Sequence, residues 1–81
     1  MTKKQVLRFN RLFNDLVQKK VNGRNAYQVS VQAIDHLGGY EIRLKSHCLI
    51  WLGEMRALQT ICDDLCASCY IKLDESQIII H

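Results

Sequence analysis

The amino-acid sequence predicts an α+β fold in which two helices cover one face of a four-stranded antiparallel sheet. Two segments carry apolar residues at the three- and four-residue spacing of an amphipathic helix, and four shorter segments alternate apolar and polar residues as strands do. Short stretches containing glycine, aspartate or serine separate the strands of each pair. The predicted helices span 3–21 and 49–65, and the predicted strands span 26–34, 40–47, 69–73 and 77–81, within a single domain of residues 1–81.

The first predicted helix has signals at both ends. Thr2 and Gln5 have the spacing of a capping box, in which each side chain accepts a hydrogen bond from the backbone of the other residue. Asn22-Gly23 is expected to stop the helix, because both residues tolerate a left-handed backbone. Between these signals one helix face is apolar, formed by Val6, Phe9, Leu12, Phe13, Leu16 and Val17.

The first pair of strands shows the clearest alternation in the chain. Its apolar positions are Tyr27, Val29, Val31, Ala33, Tyr40, Ile42 and Leu44, with polar residues between most of them. Residues 35–39 include two glycines and form the predicted turn. Because one face of this hairpin is apolar, we expect a helix to cover it.

The second half of the chain is more apolar than a monomer of this size needs. The core stripe of the second helix is expected to be Trp51, Met55, Leu58, Cys62 and Leu65. Residues 48–52 form an unbroken apolar run around the first turn of that helix, which a monomer would partly expose. In the last strand, residues 78–80 are three consecutive isoleucines, which predicts apolar contacts on both faces of the sheet. Residues 74–76 form the turn before it.

The order of the elements predicts the topology of the sheet. A right-handed crossover through the second helix makes the second and third strands parallel. The fourth strand then fits between them, antiparallel to both, which gives the strand order 3-4-2-1 with both helices on one face. This arrangement resembles a circularly permuted ferredoxin-like fold, and the resemblance implies nothing about function.

Composition favours a globular protein with a cytoplasmic location. Hydrophobic residues make up 48% of the 81 residues and charged residues 23%, which excludes a disordered chain. No apolar run reaches the roughly 18 residues that a membrane span needs. The basic start of the chain leads into an amphipathic pattern, so we expect neither a secretory signal nor a membrane partner.

Positive charge is concentrated at one end of the sequence. Residues 1–25 contain seven cations and one acid, a net charge of +6, whereas residues 26–81 have a net charge of −3. Such an asymmetry attracts nucleic acid, an anionic surface, or the acidic part of a second copy.

No residue pattern indicates catalysis, a cofactor or a small-molecule substrate. The three histidines at positions 36, 47 and 81 have no nucleophile or carboxylate placed by pattern beside them. Cys62, Cys66 and Cys69 have part of a zinc spacing, which His47 or Cys48 would have to complete. A second ligand pair at knuckle spacing is missing, and Cys62 belongs to the core stripe, so we expect buried, reduced cysteines and no metal.

The leading functional prediction is a small non-catalytic interaction module that forms a homo-oligomer. The apolar run 48–52, the two-faced strand 78–80 and the split of charge all favour pairing between copies.

The alternative prediction is a nucleic-acid-binding protein. The uncovered sheet face is expected to be basic with one aromatic residue, which is similar to how RNA-recognition-motif domains stack bases. Those domains carry aromatic residues on the two central strands, whereas here the central strands offer Arg43, Lys45 and Ile79. The predicted nucleic-acid-binding residues are Arg8, Arg11, Arg43, Lys45, Tyr70 and Lys72.

Overall fold

Helix α1 spans Lys3–Leu16 in the computed structural model, which describes residues 1–34, 39–46, 50–72 and 75–81. The predicted capping box is present: the Gln5 N–H donates to Thr2 Oγ1 at 3.2 Å, and the Thr2 N–H donates to Gln5 Oε1 at 2.7 Å. The predicted end of the helix at residue 21 is wrong. At the observed end, the N–H groups of Val17 and Gln18 both donate to the carbonyl of Phe13 at 2.9 Å.

A small hairpin occupies the segment where the sequence predicted the end of this helix. Strand β1 (Lys20–Val21) pairs antiparallel with β2 (Arg24–Asn25). Asn22 and Gly23 have φ angles of +53° and +79°, and a type I′ turn needs a left-handed backbone at both of these positions. The Asn-Gly pair therefore turns a hairpin instead of stopping a helix, since its backbone preferences suit both roles.

The main sheet has four strands, and each neighbouring pair is antiparallel. They are β3 (Tyr27–Ile34), β4 (Gly39–Ser46), β5 (Cys69–Lys72) and β6 (Gln77–Ile80). Their hydrogen-bonded order is β3-β4-β6-β5, so β3 and β5 form the two edges. The predicted four-stranded antiparallel sheet is confirmed. Parts of both predicted turns and of three predicted element ends, at residues 35–38, 47–49 and 73–74, lie outside the described residues.

Helix α2 spans Leu52–Asp64, a later start than the predicted residue 49. Trp51 precedes its first turn with an extended backbone and no side-chain cap. The helix ends with the Ala67 N–H donating to the Cys62 carbonyl at 2.9 Å, and Cys66 adopts a left-handed φ of +55°. This is the geometry of a Schellman ending, in which glycine usually takes the left-handed position. Of the helices in the described residues, neither α1 nor α2 is long and apolar enough to cross a bilayer.

Both helices pack on the same face of the sheet, as predicted. Their shared core has Phe9 and Phe13 of α1, Leu58 and Ile61 of α2, and inward-facing strand residues. Those strand residues are Tyr27, Ile42, Leu44, Ile78 and Ile80. Two predicted core positions are wrong, because Leu16 and Trp51 are exposed. Leu16 lies on the flank of α1 beside the stripe of buried residues, and Trp51 lies before α2 begins.

Candidate interaction surfaces

The face of the sheet turned away from the helices is called the open face. Cross-strand pairing places its residues in rows: Gln28, Lys45, Gln77 and Lys72 form one row, and Ser30, Arg43, Ile79 and Tyr70 form the next. Residues opposite one another in neighbouring strands share a face of the sheet. Four of the predicted nucleic-acid-binding residues, Arg43, Lys45, Tyr70 and Lys72, therefore do lie on one surface.

Carboxylates balance part of the positive charge on the open face. Arg43 Nε donates to Glu41 Oε1 at 2.7 Å, and Lys72 Nζ lies 3.2 Å from Glu75 Oε1. The hydrogen bond to Glu41 raises the pKa of Arg43 above its ordinary value. A phosphate group would have to compete with these carboxylates, which weakens the attraction of this face for nucleic acid.

Ile79 is an apolar residue at the centre of the open face. Only 1% of it is exposed, yet it lies outside the main core, with Arg43 and Tyr70 directly opposite it on the two neighbouring strands. The prediction that the last strand has apolar residues packed on both faces is therefore correct. This chain covers Ile79 by itself, so the two-faced strand is not evidence for a partner.

Arg8 and Arg11 lie far from the four open-face residues, because α1 packs on the other side of the sheet. Arg8 forms an ion pair with Asp64 of α2 at 2.6 Å. Both arginines line a groove of about 660 Å³ between α1 and the end of α2, and Lys4 lines it with them. The structure thus divides the six predicted residues between two opposite layers. Lys4 was missed, although its helical spacing from Arg8 placed the two on one side of the helix.

Apolar side chains remain exposed at the beginning of α2. Ile50 and Trp51 are partly exposed, and Leu52 has 86% of its surface in water. Cys48 and Leu49, the other members of the predicted apolar run, lie outside the described residues. The Lys19 ammonium lies 3.1 Å above the centre of the Trp51 ring, so a cation covers one face of the indole.

A polar cluster beside Trp51 connects α2 to the start of β3. Glu54 accepts a hydrogen bond from the Tyr27 hydroxyl at 2.6 Å and pairs with Lys19 Nζ at 2.7 Å. Partial burial favours the neutral form of Glu54, but these hydrogen bonds outweigh it and hold its pKa below the ordinary value. All of the cluster's groups point at one another, which is typical of a structural contact.

The apolar groove beside the free edge of β3 is a third surface. The predicted strand order made this strand an edge, but the sequence prediction missed the groove. Val31 is 42% exposed and Leu7 of α1 is 62% exposed; with Lys3, Val6 and Tyr40 they line an apolar groove of about 260 Å³. The predicted cover of Val31 and Ala33 by a helix is wrong, because α1 does not reach across the outermost strand. A signal was present in the sequence: β3 has no charged residue.

Of the described cysteines, Cys62 belongs to the core and Cys69 packs against it. Cys62 is buried, and its interaction with the neighbouring Cys69 thiol together with burial raises the pKa of the Cys62 thiol. Cys66 is exposed, so its predicted burial is wrong, because it lies just beyond the end of α2 and not on the core stripe. Within the described ranges, no three His, Cys, Asp or Glu side chains converge as metal ligands would. His47 and Cys48, the proposed completing ligands, lie outside those ranges.

Comparisons of the chain with protein-family models, with curated proteins and with solved structures found no match.

Proposed function

We propose that this protein is a small, cytoplasmic, non-catalytic interaction module that associates with itself. The observation that carries the proposal is the amount of apolar side chain left in water. Leu7 and Val31 lie at the β3 edge, and Leu52 lies at the start of α2. An 81-residue domain has a small core, so burying such residues between copies contributes stability that the monomer lacks.

Sedimentation velocity over a range from about 1 to 200 μM tests self-association. The expected result is a species of at least twice the monomer mass of 9.4 kDa, with its population rising with concentration. A species of 9.4 kDa throughout this range would contradict the proposal.

The salt dependence of that association distinguishes two driving forces. Apolar contacts persist at 1 M salt, where the Debye length is about 3 Å, whereas attraction between the basic and acidic parts of two copies is screened. We expect association to persist at high salt. Dissociation on adding salt would assign it to the charge asymmetry instead.

Nucleic-acid binding is the second candidate function. It is supported by the placement of Arg43, Lys45, Tyr70 and Lys72 on one open face, although Glu41 and Glu75 pair with two of the cations. Fluorescence anisotropy with single- and double-stranded oligonucleotides at low salt is the test, and binding should weaken steeply as salt rises. Absence of binding at low salt would contradict this function.

Two substitutions show which layer binds if nucleic acid is bound. Lys45→Ala removes a cation from the open face, and Arg8→Ala removes one from the helical layer. Lys20→Ala is the matched control, because Lys20 lies on the small hairpin, away from both surfaces. Tyr70→Ala should weaken binding by about 1–3 kcal/mol if a base stacks on its ring. Equal effects of all three lysine and arginine changes would indicate unspecific attraction to the net charge.

We also propose that the fold is a circularly permuted version of the ferredoxin-like fold. It is supported by the two helices on one face of an antiparallel sheet in which β6 lies between β4 and β5. This likeness concerns architecture and adds nothing to either functional proposal.

A further inference from the structure

The two edges of the main sheet are built differently. Strand β5 has four residues and includes Lys72, and short strands and lysines are the usual protection of an edge against pairing. Strand β3 has eight residues, Tyr27–Ile34, with no charge and no proline. Its exposed edge therefore has none of these protections and is the better template for another strand.

Gln18 shows which backbone groups of β3 point away from the sheet. Its side-chain amide accepts from the Tyr27 N–H at 3.0 Å and donates to the Tyr27 carbonyl at 2.8 Å, on the side opposite β4. Backbone groups in an antiparallel pair point alternately to the two sides of a strand. The N–H and C=O groups of Val29, Val31 and Ala33 thus point outward as well. Within the described part of the chain, none of these six groups has a hydrogen-bond partner.

The apolar groove lies directly beside these unpaired groups. Leu7 borders it from α1, and Val31 borders it from the strand. A strand added to the β3 edge would bring its own side chains over this groove. A single partner strand would then form hydrogen bonds to these backbone groups and also cover the exposed apolar surface.

We infer that the partner is a second copy, paired antiparallel through β3 about a two-fold axis at Val31. This inference rests on the proposed self-association and names its surface. Val31 lies opposite Val31 of the second copy, and Val29 lies opposite its Ala33. All three outward-pointing residues of each copy are then paired, which makes six backbone hydrogen bonds and a continuous eight-stranded sheet.

Three features make the edge complementary to itself. The strand has no charge, so antiparallel pairing brings no like charges into opposition along it. The Gln18 side chain already binds the backbone N–H and C=O of Tyr27. A register that paired Tyr27 with the second copy would displace this side chain. The register centred on Val31 leaves it in place. Both copies of Leu7 lie on the same side of the joined sheet, next to the two valines.

A charge placed at the axis tests this interface. Val31→Lys brings two ammonium groups together across the two-fold axis, and the dimer Kd should rise by at least about tenfold. Ile71→Lys is the matched control: Ile71 is a β-branched residue on the other edge strand, on the same face of the sheet, and it is 52% exposed. We expect Ile71→Lys to leave the dimer Kd unchanged, with circular dichroism verifying the fold of both variants.

Oxidative cross-linking tests the register and does not depend on a destabilising charge. Cysteines replacing Val31 would have Cα atoms about 5.5 Å apart in the dimer, within the range for a disulfide. Cysteines replacing Gln32 would be displaced by about 7 Å along the strands and should not cross-link. Both variants carry Cys66→Ser, because Cys66 is exposed, and the oxidised Cys66→Ser protein provides the background.

The outcomes separate this inference from the proposed function. If the wild-type protein is a monomer at every concentration, both fail. If it is a dimer that Ile71→Lys disrupts and Val31→Lys does not, self-association stands and the β3 interface is overturned. Cross-linking through Gln32→Cys in preference to Val31→Cys would keep the β3 edge but overturn the register. If Val31→Lys does not fold, the cross-linking experiment decides alone.

Discussion

The side chain of Gln18 binds the backbone of Tyr27 as a neighbouring strand would. Its Oε1 lies 3.0 Å from the Tyr27 nitrogen and its Nε2 lies 2.8 Å from the Tyr27 oxygen. These two hydrogen bonds use the outward-pointing backbone groups of Tyr27, the first residue of β3. They also connect the end of α1 to the sheet, because Gln18 directly follows Val17, the C-cap residue of that helix.

Removing this amide should lower the stability of the protein. Gln18→Ala leaves both backbone groups of Tyr27 without these partners in a partly buried position, which costs about 1–2 kcal/mol of the free energy of unfolding. Urea denaturation measures the loss. Gln32→Ala is the control, since Gln32 is exposed on the open face, and it should change stability by less than about 0.5 kcal/mol. Equal effects of the two changes would contradict the role given to Gln18.

Glu54 should contribute to the acid sensitivity of the fold. Its pKa is lower in the folded protein than in the unfolded chain, because Lys19 and Tyr27 bind its ionised form. The stabilisation is thus fully present above the unfolded value of about 4.3 and is lost as pH falls through the lower folded value. As the pH is lowered from 5 until Glu54 is protonated in the folded protein, the melting temperature of Glu54→Gln should therefore fall less than that of the wild type. Asp15→Asn, which removes an exposed carboxylate of α1, is the matched control substitution.

Replacing Cys66 with glycine should stabilise the protein. Cys66 has a φ of +55° at the end of α2, and a side chain in this conformation costs roughly 1–2 kcal/mol. Part of that gain is offset by the greater freedom of glycine in the unfolded chain, which leaves a net increase of about 0.5–1 kcal/mol. Thermal denaturation of Cys66→Gly and Cys66→Ala separates backbone relief from loss of the thiol. Stabilisation by alanine as large as that by glycine would argue against a backbone cause.

The cysteines should hold no structural metal. Cys62 is buried in the core, whereas each zinc ligand would need to come within about 2.3 Å of a common ion. We expect elemental analysis of untreated protein to find far less than one zinc per chain. A chelator should leave the melting temperature unchanged. One equivalent of zinc, lost together with the fold on chelation, would overturn this expectation.

Local sequence patterns predicted an element correctly where the residues favour a single local structure. Thr2 and Gln5 form the expected capping box, and alternation assigned the faces of β3 and β4 correctly. Asn22-Gly23 was ambiguous, since the same left-handed preference ends a helix or turns a hairpin. The end of α1 was therefore misplaced at a site where two structures suit the same residues.

The candidate surfaces could be predicted only in part. Cross-strand rows bring Arg43, Lys45, Tyr70 and Lys72 onto the open face, as alternation indicated. Arg8 and Arg11 were grouped with them by charge alone, and the structure places these two in the opposite layer. The predicted topology, with both helices on one face of the sheet, already separated α1 from the open face, so these two groups of cations could have been distinguished from the sequence.

The sequence by itself determined the type of most elements and the inward side of each, because helical and strand periodicity are properties of neighbouring residues. Tertiary structure alone decided that Val31 stays exposed while Tyr27 is buried, and that Ile79 is covered by this chain. Those outcomes depend on which strands pair and how far a helix reaches across them. Such contacts join residues distant in the chain, and no local period encodes them.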